Sequence, residues 1–123
     1  MSRRKTIALY LWAVPMILVG ITHFTNTGFF LQIVPPYLPW HLALVYLSGV
    51  FEILGGVGLL VPQTRKWAAW GLMALLVAVF PANLHMALND VPIDGQQLHP
   101  ALLWGRLPVQ LVFLRVTYWF TRD

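Results

Sequence analysis

Cysteine is absent from the chain, which excludes disulfides, thiol nucleophiles and thiolate metal sites supplied by this protein itself. Charge is nearly as scarce. Only 10% of residues are charged, where about 25% is usual for soluble domains. The acids are Glu52, Asp90, Asp94 and Asp123. No phosphate-cradling glycine loop, nucleophile elbow or haem attachment motif occurs. No two histidines have the i, i+4 spacing of a helical metal site, so no metal is expected. Low-complexity tracts and internal repeats are missing as well.

What fills the chain instead is apolar. Hydrophobic residues make up 59% of it and the mean hydropathy is +0.70, which places it among polytopic membrane proteins, and 123 residues suffice for one domain. The expected fold is all-α, a bundle of four transmembrane helices over residues 7–24, 42–61, 67–88 and 101–120. A cleaved secretory signal would have a shorter apolar run and a small-residue cleavage site. Thr22-His23-Phe24-Thr25-Asn26 follows here, so the first helix is expected to be retained. Between the first two spans, Pro35, Pro36 and Pro39 stop helices, while Phe29, Phe30, Tyr37 and Trp40 suit a membrane interface. That segment is predicted to cap one end of the bundle at the membrane surface.

The formal net charge of +4 does not point to nucleic acid, because the bases are dispersed. Four spans put Arg3, Arg4, Lys5, Arg65, Lys66 and Arg122 on one side, while the other side has the hydrophilic connection of residues 89–97 with Asp90 and Asp94 and no base. By the positive-inside rule both termini are cytoplasmic, in an inner (plasma) membrane.

Within the second span stands one acid, Glu52, roughly 15 Å along the helix and near the midplane. A central charge costs about 2.5–3.5 kcal/mol on insertion scales, so it should face the bundle interior and find a partner. Ser48, Gly49, Gly55 and Gly56 lie on or beside the same face and would let neighbouring helices approach. Arg106 in the fourth span is the expected partner, with Gln110 one turn on completing the hydrogen bonding. Arg115 is near a helix end and can snorkel to the interface. Pro81 and Pro108 remove the donors for the carbonyls of Val77 and Trp104, which must then be satisfied by side chains or line a cavity. Asn83 and His85 follow Pro81, and His23 ends the first span. His85 is expected on the packed side and Asn83 toward a neighbouring element. Trp104 could wall a pocket. A structural ion pair fixing helix register and a ligand or proton site are equally open readings of Glu52 with Arg106.

Five stretches, Gly20-Ile21-Thr22-His23-Phe24, Ile33-Val34-Pro35-Pro36-Tyr37-Leu38-Pro39, Ser48-Gly49-Val50-Phe51-Glu52-Ile53-Leu54-Gly55-Gly56, Pro81-Ala82-Asn83-Leu84-His85-Met86-Ala87 and Arg106-Leu107-Pro108-Val109-Gln110, together resemble the DoxX family of small four-helix membrane proteins. The likeness runs from about Gly20 to Trp119, so residues 1–123 read as a single DoxX-like domain. It implies a four-helix bundle with an outward polar pocket formed by His23, Glu52, Asn83 and Arg106. Members of that family include small subunits of quinone-linked membrane oxidoreductases, maturation factors for a periplasmic dehydrogenase, and proteins assisting receptor assembly.

The expected ligand set is Glu52, Arg106, His23, Asn83, His85, Gln110 and Trp104, with no covalently bound cofactor. A quinone is the sharpest candidate, because Arg106, His23 and Asn83 can donate to carbonyl oxygens while apolar walls take the tail. The leading functional expectation is an accessory subunit of a membrane redox system, or a binder of a small amphiphile. The second is an assembly factor using the Phe29–Trp40 cap to hold a client. A third is an isomerase or oxidoreductase in its own right, with Glu52 and His23 moving protons. Expected partners are the bilayer, a membrane oxidoreductase or client protein, and further copies of the chain.

Overall fold

The computed structural model describes residues 1–89, 92, 95, 96 and 99–122. The first helix, α1 (Arg3–Thr25), starts earlier than its apolar run because Ser2 caps it, the side chain accepting from the Lys5 amide. A five-residue helix, α2 (Thr27–Leu31), follows after Asn26. Thr27 ties it to α1, its hydroxyl donating to the His23 carbonyl at 2.9 Å. The proline-rich stretch then runs as turns to Trp40, which takes a left-handed conformation at φ 54° and is 79% exposed. This is an uncommon backbone state for a bulky residue.

Next come α3 (His41–Leu60), α4 (Arg65–Asn89, with Pro81 inside) and α5 (Pro100–Trp119, with Pro108 inside). The connection from α3 to α4 serves the helix end it leaves. The Thr64 hydroxyl donates to the Gly58 carbonyl at 2.9 Å and Arg65 Nε to the Leu59 carbonyl at 2.7 Å, groups that a helix terminus leaves without internal donors. At the start of α5, His99 Nδ1 accepts from the Ala101 amide at 3.0 Å and Pro100 takes the first helical position, where its missing N–H costs nothing. The hydrophilic connection predicted over residues 89–97 lies largely outside the described residues, as do Asp90, Asp94 and Asp123.

Among the described residues there is no strand. Three helices, α1, α3 and α4, are long and apolar enough to cross a membrane. The fourth long helix, α5, has 20 residues, a span's length, but Arg106, Gln110 and Arg115 lower its hydropathy. Apolar side chains cover the outside: Leu11 is 71% exposed, Leu54 62% and Val77 60%. A soluble monomer rarely shows so much contiguous apolar surface; lipid would cover it.

The helices pack in sequence order, α1 on α3, α3 on α4 and α4 on α5. Glycines on α3 set two of these contacts. Toward α1, an added Cβ at Gly49 would stand 2.7 Å from His23 Cβ, and one at Gly56 3.0 Å from the Ala13 carbonyl. Toward α4, Gly55 lies against Leu72 and Gly58 against Ala68. By contrast, α1 and α5 have no Cα atoms within 8 Å of each other among the described residues, and they meet through large side chains. The Trp12 and Phe113 rings are 4.7 Å apart, and Phe120 joins Leu9, Ala13, Met16, Leu59 and Leu72 in the main core cluster. A second, smaller cluster of Met86, Ala87 and Leu103, with Ile33 against it, sits toward the other end.

Candidate functional site

Glu52 lies one turn from Gly49 and one from Gly56, the residues that bring α3 against α1. It therefore meets α1. Its Oε2 is 3.1 Å from His23 Nε2, and among the described residues no other ion pair forms. His23 is buried, and its Nδ1 lies 2.9 Å from the Val19 carbonyl. A carbonyl can only accept, so Nδ1 carries a proton. Attraction between Nε2 and Oε2 requires one further proton, on either the imidazole or the carboxyl group. The 3.1 Å contact is not aligned as a hydrogen bond, and Oε2 is buried without a hydrogen-bond partner among the described residues. Such atoms are few in native structures and each calls for an explanation.

Aromatic rings close over this pair. Phe30, on α2, stacks on the His23 ring at 3.8 Å, and Phe29 meets Phe30 edge-on at 5.2 Å. The segment between α1 and α3 thus covers His23 directly, a role for Phe30 that its sequence position alone does not reveal.

The expected pairing of Glu52 with Arg106 is not formed. Arg106 Nη1 points to the Met86 thioether at 3.8 Å, a weak acceptor, and no carboxylate lies within 4.0 Å of the guanidinium among the described residues. The reason is which helices are neighbours. Arg106 is on α5, which packs on α4, whereas the glycine-lined contact between α1 and α3 holds His23 next to the acid. An adjacent imidazole takes the place that a long side chain from across the bundle was expected to fill.

Gln110 does not complete the hydrogen bonding of Arg106 either. Only 4% exposed, it accepts from Asn83 Nδ2 at 2.5 Å and donates through Nε2 to the Leu76 carbonyl. Asn83 accordingly faces a neighbouring element, as expected. The carbonyl that Gln110 reaches is one residue before Val77, the one Pro81 deprives of its donor. The ring of a proline pushes away the carbonyl four residues earlier and loosens that turn, and the α5 side chain meets the loosened turn at Leu76. A double-mutant cycle of Asn83→Leu and Gln110→Leu, read by unfolding in detergent, should give a coupling of about 1 kcal/mol, within the range of interhelical hydrogen bonds in membranes. A coupling indistinguishable from zero would show that the link contributes nothing.

The remaining candidates stand apart. His85 meets the Tyr37 ring edge-on at 5.8 Å, and its Nδ1 accepts from Asn89 Nδ2 at 3.1 Å. Trp104 is 47% exposed and points away from the core. Among the described residues no three metal-ligating side chains gather.

The seven expected ligand residues thus fall into a buried pair, His23 with Glu52, a structural link, Asn83 with Gln110, and a guanidinium with no oxygen acceptor among the described residues, Arg106, with His85 and Trp104 outside them. Lys5 was expected only as a topology-setting charge, yet it is 6% exposed and its Nζ donates to the Arg122 carbonyl. Its place was legible, since Lys5, Leu9, Ala13, Met16, Gly20 and His23 recur at spacings of three and four and are the buried residues of α1.

The family described as Domain of unknown function (DUF8561) matches the chain over residues 12–121. No curated protein and no solved structure matches it.

Proposed function

This chain belongs to the DUF8561 family, and we propose that it is an integral membrane protein of four spans whose polar site binds the head group of a small amphiphile, a quinone in the first instance. In this reading α5 is the fourth span, the stretch from Thr27 to Trp40 lies at the outer interface, and the basic side with both termini faces the cytoplasm. The motif likeness to DoxX proteins supports the same arrangement.

One observation carries the reading: a buried carboxyl oxygen beside a proton-holding histidine has no hydrogen-bond partner among the described residues. A head group with a hydroxyl could donate to that oxygen, or one with a carbonyl could accept from it when the carboxyl group is protonated, and Arg106, bonded among the described residues to a thioether alone, could donate to a second oxygen. Apolar helix surfaces would take the tail. Electron transfer would fall to a partner oxidoreductase carrying the cofactors, since this chain has no cysteine and few metal-ligating side chains.

The test is mass spectrometry of lipid-soluble material extracted from gently purified protein, followed by binding of a short-tailed benzoquinone. The parent should retain a quinone or related amphiphile. Glu52→Gln and Arg106→Ala, still helical by circular dichroism, should each bind at least about tenfold more weakly, as expected for losing a hydrogen bond to a charged group. Folded variants that bind as the parent does would remove the proposal.

The exposed left-handed Trp40 favours one other reading, an assembly factor that holds a client. It predicts no retained small molecule, and loss of a co-purifying membrane protein on Trp40→Gly, a change that suits the backbone at that position.

A further inference from the structure

The end of the bundle away from His23 carries a second set of features, independent of the proposed amphiphile site. On the outer face between α3 and α4, the glycines Gly55, Gly58 and Gly71 leave a groove of about 530 Å³, walled by Phe51, Leu54 and Trp67. Its lining is apolar except for Thr64, whose hydroxyl is already donated to Gly58.

Where this groove reaches the connection between α3 and α4, a cavity of about 220 Å³ opens among Lys5, Arg65, Lys66 and Arg122. Thr64 and Trp67 line the groove and Arg65 and Lys66 the cavity, so both recesses border residues 64–67 at the start of α4. None of the four cations has a carboxylate within 4.0 Å among the described residues. Among the described residues the Lys66 ammonium has only the Trp67 ring, 5.8 Å from its centroid, and its N–H donors are available there. Lys5 is held in place by burial and by the Arg122 carbonyl. In sequence, the one acid on this side is Asp123.

Four bases around one cavity call for an anion, and an apolar groove bordering the same residues calls for a hydrocarbon chain. Basic pockets between helices on the cytoplasmic side hold anionic head groups in this manner. We propose that the recess is a binding site for one anionic phospholipid, its phosphate among Lys66, Arg65 and Arg122 and one acyl chain in the groove between α3 and α4. A free phosphate would satisfy the cations but leave the groove unused. Charge complementarity together with the groove favours the lipid.

The experiment uses the full chain in nanodiscs of equimolar phosphatidylcholine and phosphatidylglycerol, with the lipids that stay bound on release counted by native mass spectrometry. Phosphatidylglycerol should be retained preferentially. Lys66→Gln should reduce that preference about fivefold, the effect of one basic residue at an anionic surface. Gly71→Phe tests the groove, because a Cβ there meets nothing within 4 Å and the larger side chain can fill the space without touching the fold; it should reduce retention of phosphatidylglycerol at least threefold with unfolding temperature unchanged. Equal retention of the two lipids by the parent would overturn the proposal. So would retention that inorganic phosphate abolishes while Gly71→Phe leaves it unaltered, since that pattern belongs to a free-anion site.

Discussion

Replacing Gly20 with valine should separate α1 from α3 and destabilise the protein by about 3 kcal/mol, the upper part of the usual range for overpacking. A Cβ at Gly20 would lie 2.9 Å from the Gly49 carbonyl and 2.7 Å from Ile53 Cγ1, and one at Gly49 would lie 3.0 Å from the Gly20 carbonyl. The two glycines face each other where the helices cross. Backbone atoms cannot move aside as a flexible side chain would, so the helices themselves must shift. In lipid, where no hydrophobic force draws helices together, such close approach is a main source of attraction. His23 lies one turn beyond Gly20, so its contact with Glu52 should be lost as well. Gly105, whose Cβ position meets nothing within 4 Å, is the control: Gly105→Ala should be neutral or stabilise by up to about 1 kcal/mol through helix propensity. Unfolding of both variants in detergent decides the matter. Equal stability of Gly20→Val and the parent would mean that the helices do not cross so closely.

The second large effect concerns the buried pair. His23→Leu leaves the Glu52 carboxyl group without its neighbour, and breaking a buried pair from one side costs about 3–5 kcal/mol. The Glu52 side chain retains 16% exposure, which puts the expected loss near the lower figure. Changing both residues, His23→Leu with Glu52→Leu, removes the stranded group and should recover most of that loss, because replacing a buried pair by apolar residues is often neutral or stabilising. The single and double variants, compared by chemical unfolding, must therefore differ in stability with the double variant the more stable. Were His23→Leu no less stable than the double variant, Glu52 would not depend on His23. Binding of the benzoquinone should be lost in both, which separates stability from function.

Much of this was legible residue by residue. The apolar runs marked the long helices, and the short basic connection at Arg65 and Lys66 made α3 and α4 neighbours. The small residues around Glu52 pointed to close approach of other helices, as Gly49 and Gly56 make against α1 and Gly55 and Gly58 against α4. Pro81 announced a carbonyl in need of a donor within the bundle, and Gln110 meets one a single residue away. The partner of Glu52 was not legible. Arg106 had the complementary charge and a compatible depth, but depth along a helix says nothing of which helices lie side by side. His23, which the sequence places at the very end of the first span, had neither a matching depth nor a full charge to recommend it, and it is the residue in contact.

The α2 helix and the stacking of Phe30 on His23 were hidden for a related reason. Five residues with no amphipathic pattern carry little signal, and their conformation depends on Thr27 anchoring to α1 and on the ring lying over the imidazole.

By itself, the sequence determined an all-helical protein with helices long and apolar enough for a membrane, the breaks imposed by its prolines, and the need of one acid within an apolar helix for company. These follow from properties local to a few turns: the period of the helix, the missing amide of proline, and the cost of charge in hydrocarbon. Only the tertiary structure decided that α1 meets Glu52, that Gln110 serves Asn83 and the turn at Leu76, and that Arg106 is left facing sulfur. Such choices depend on which backbones approach most closely, and in a bundle held by small-residue packing that is settled by all the helices together.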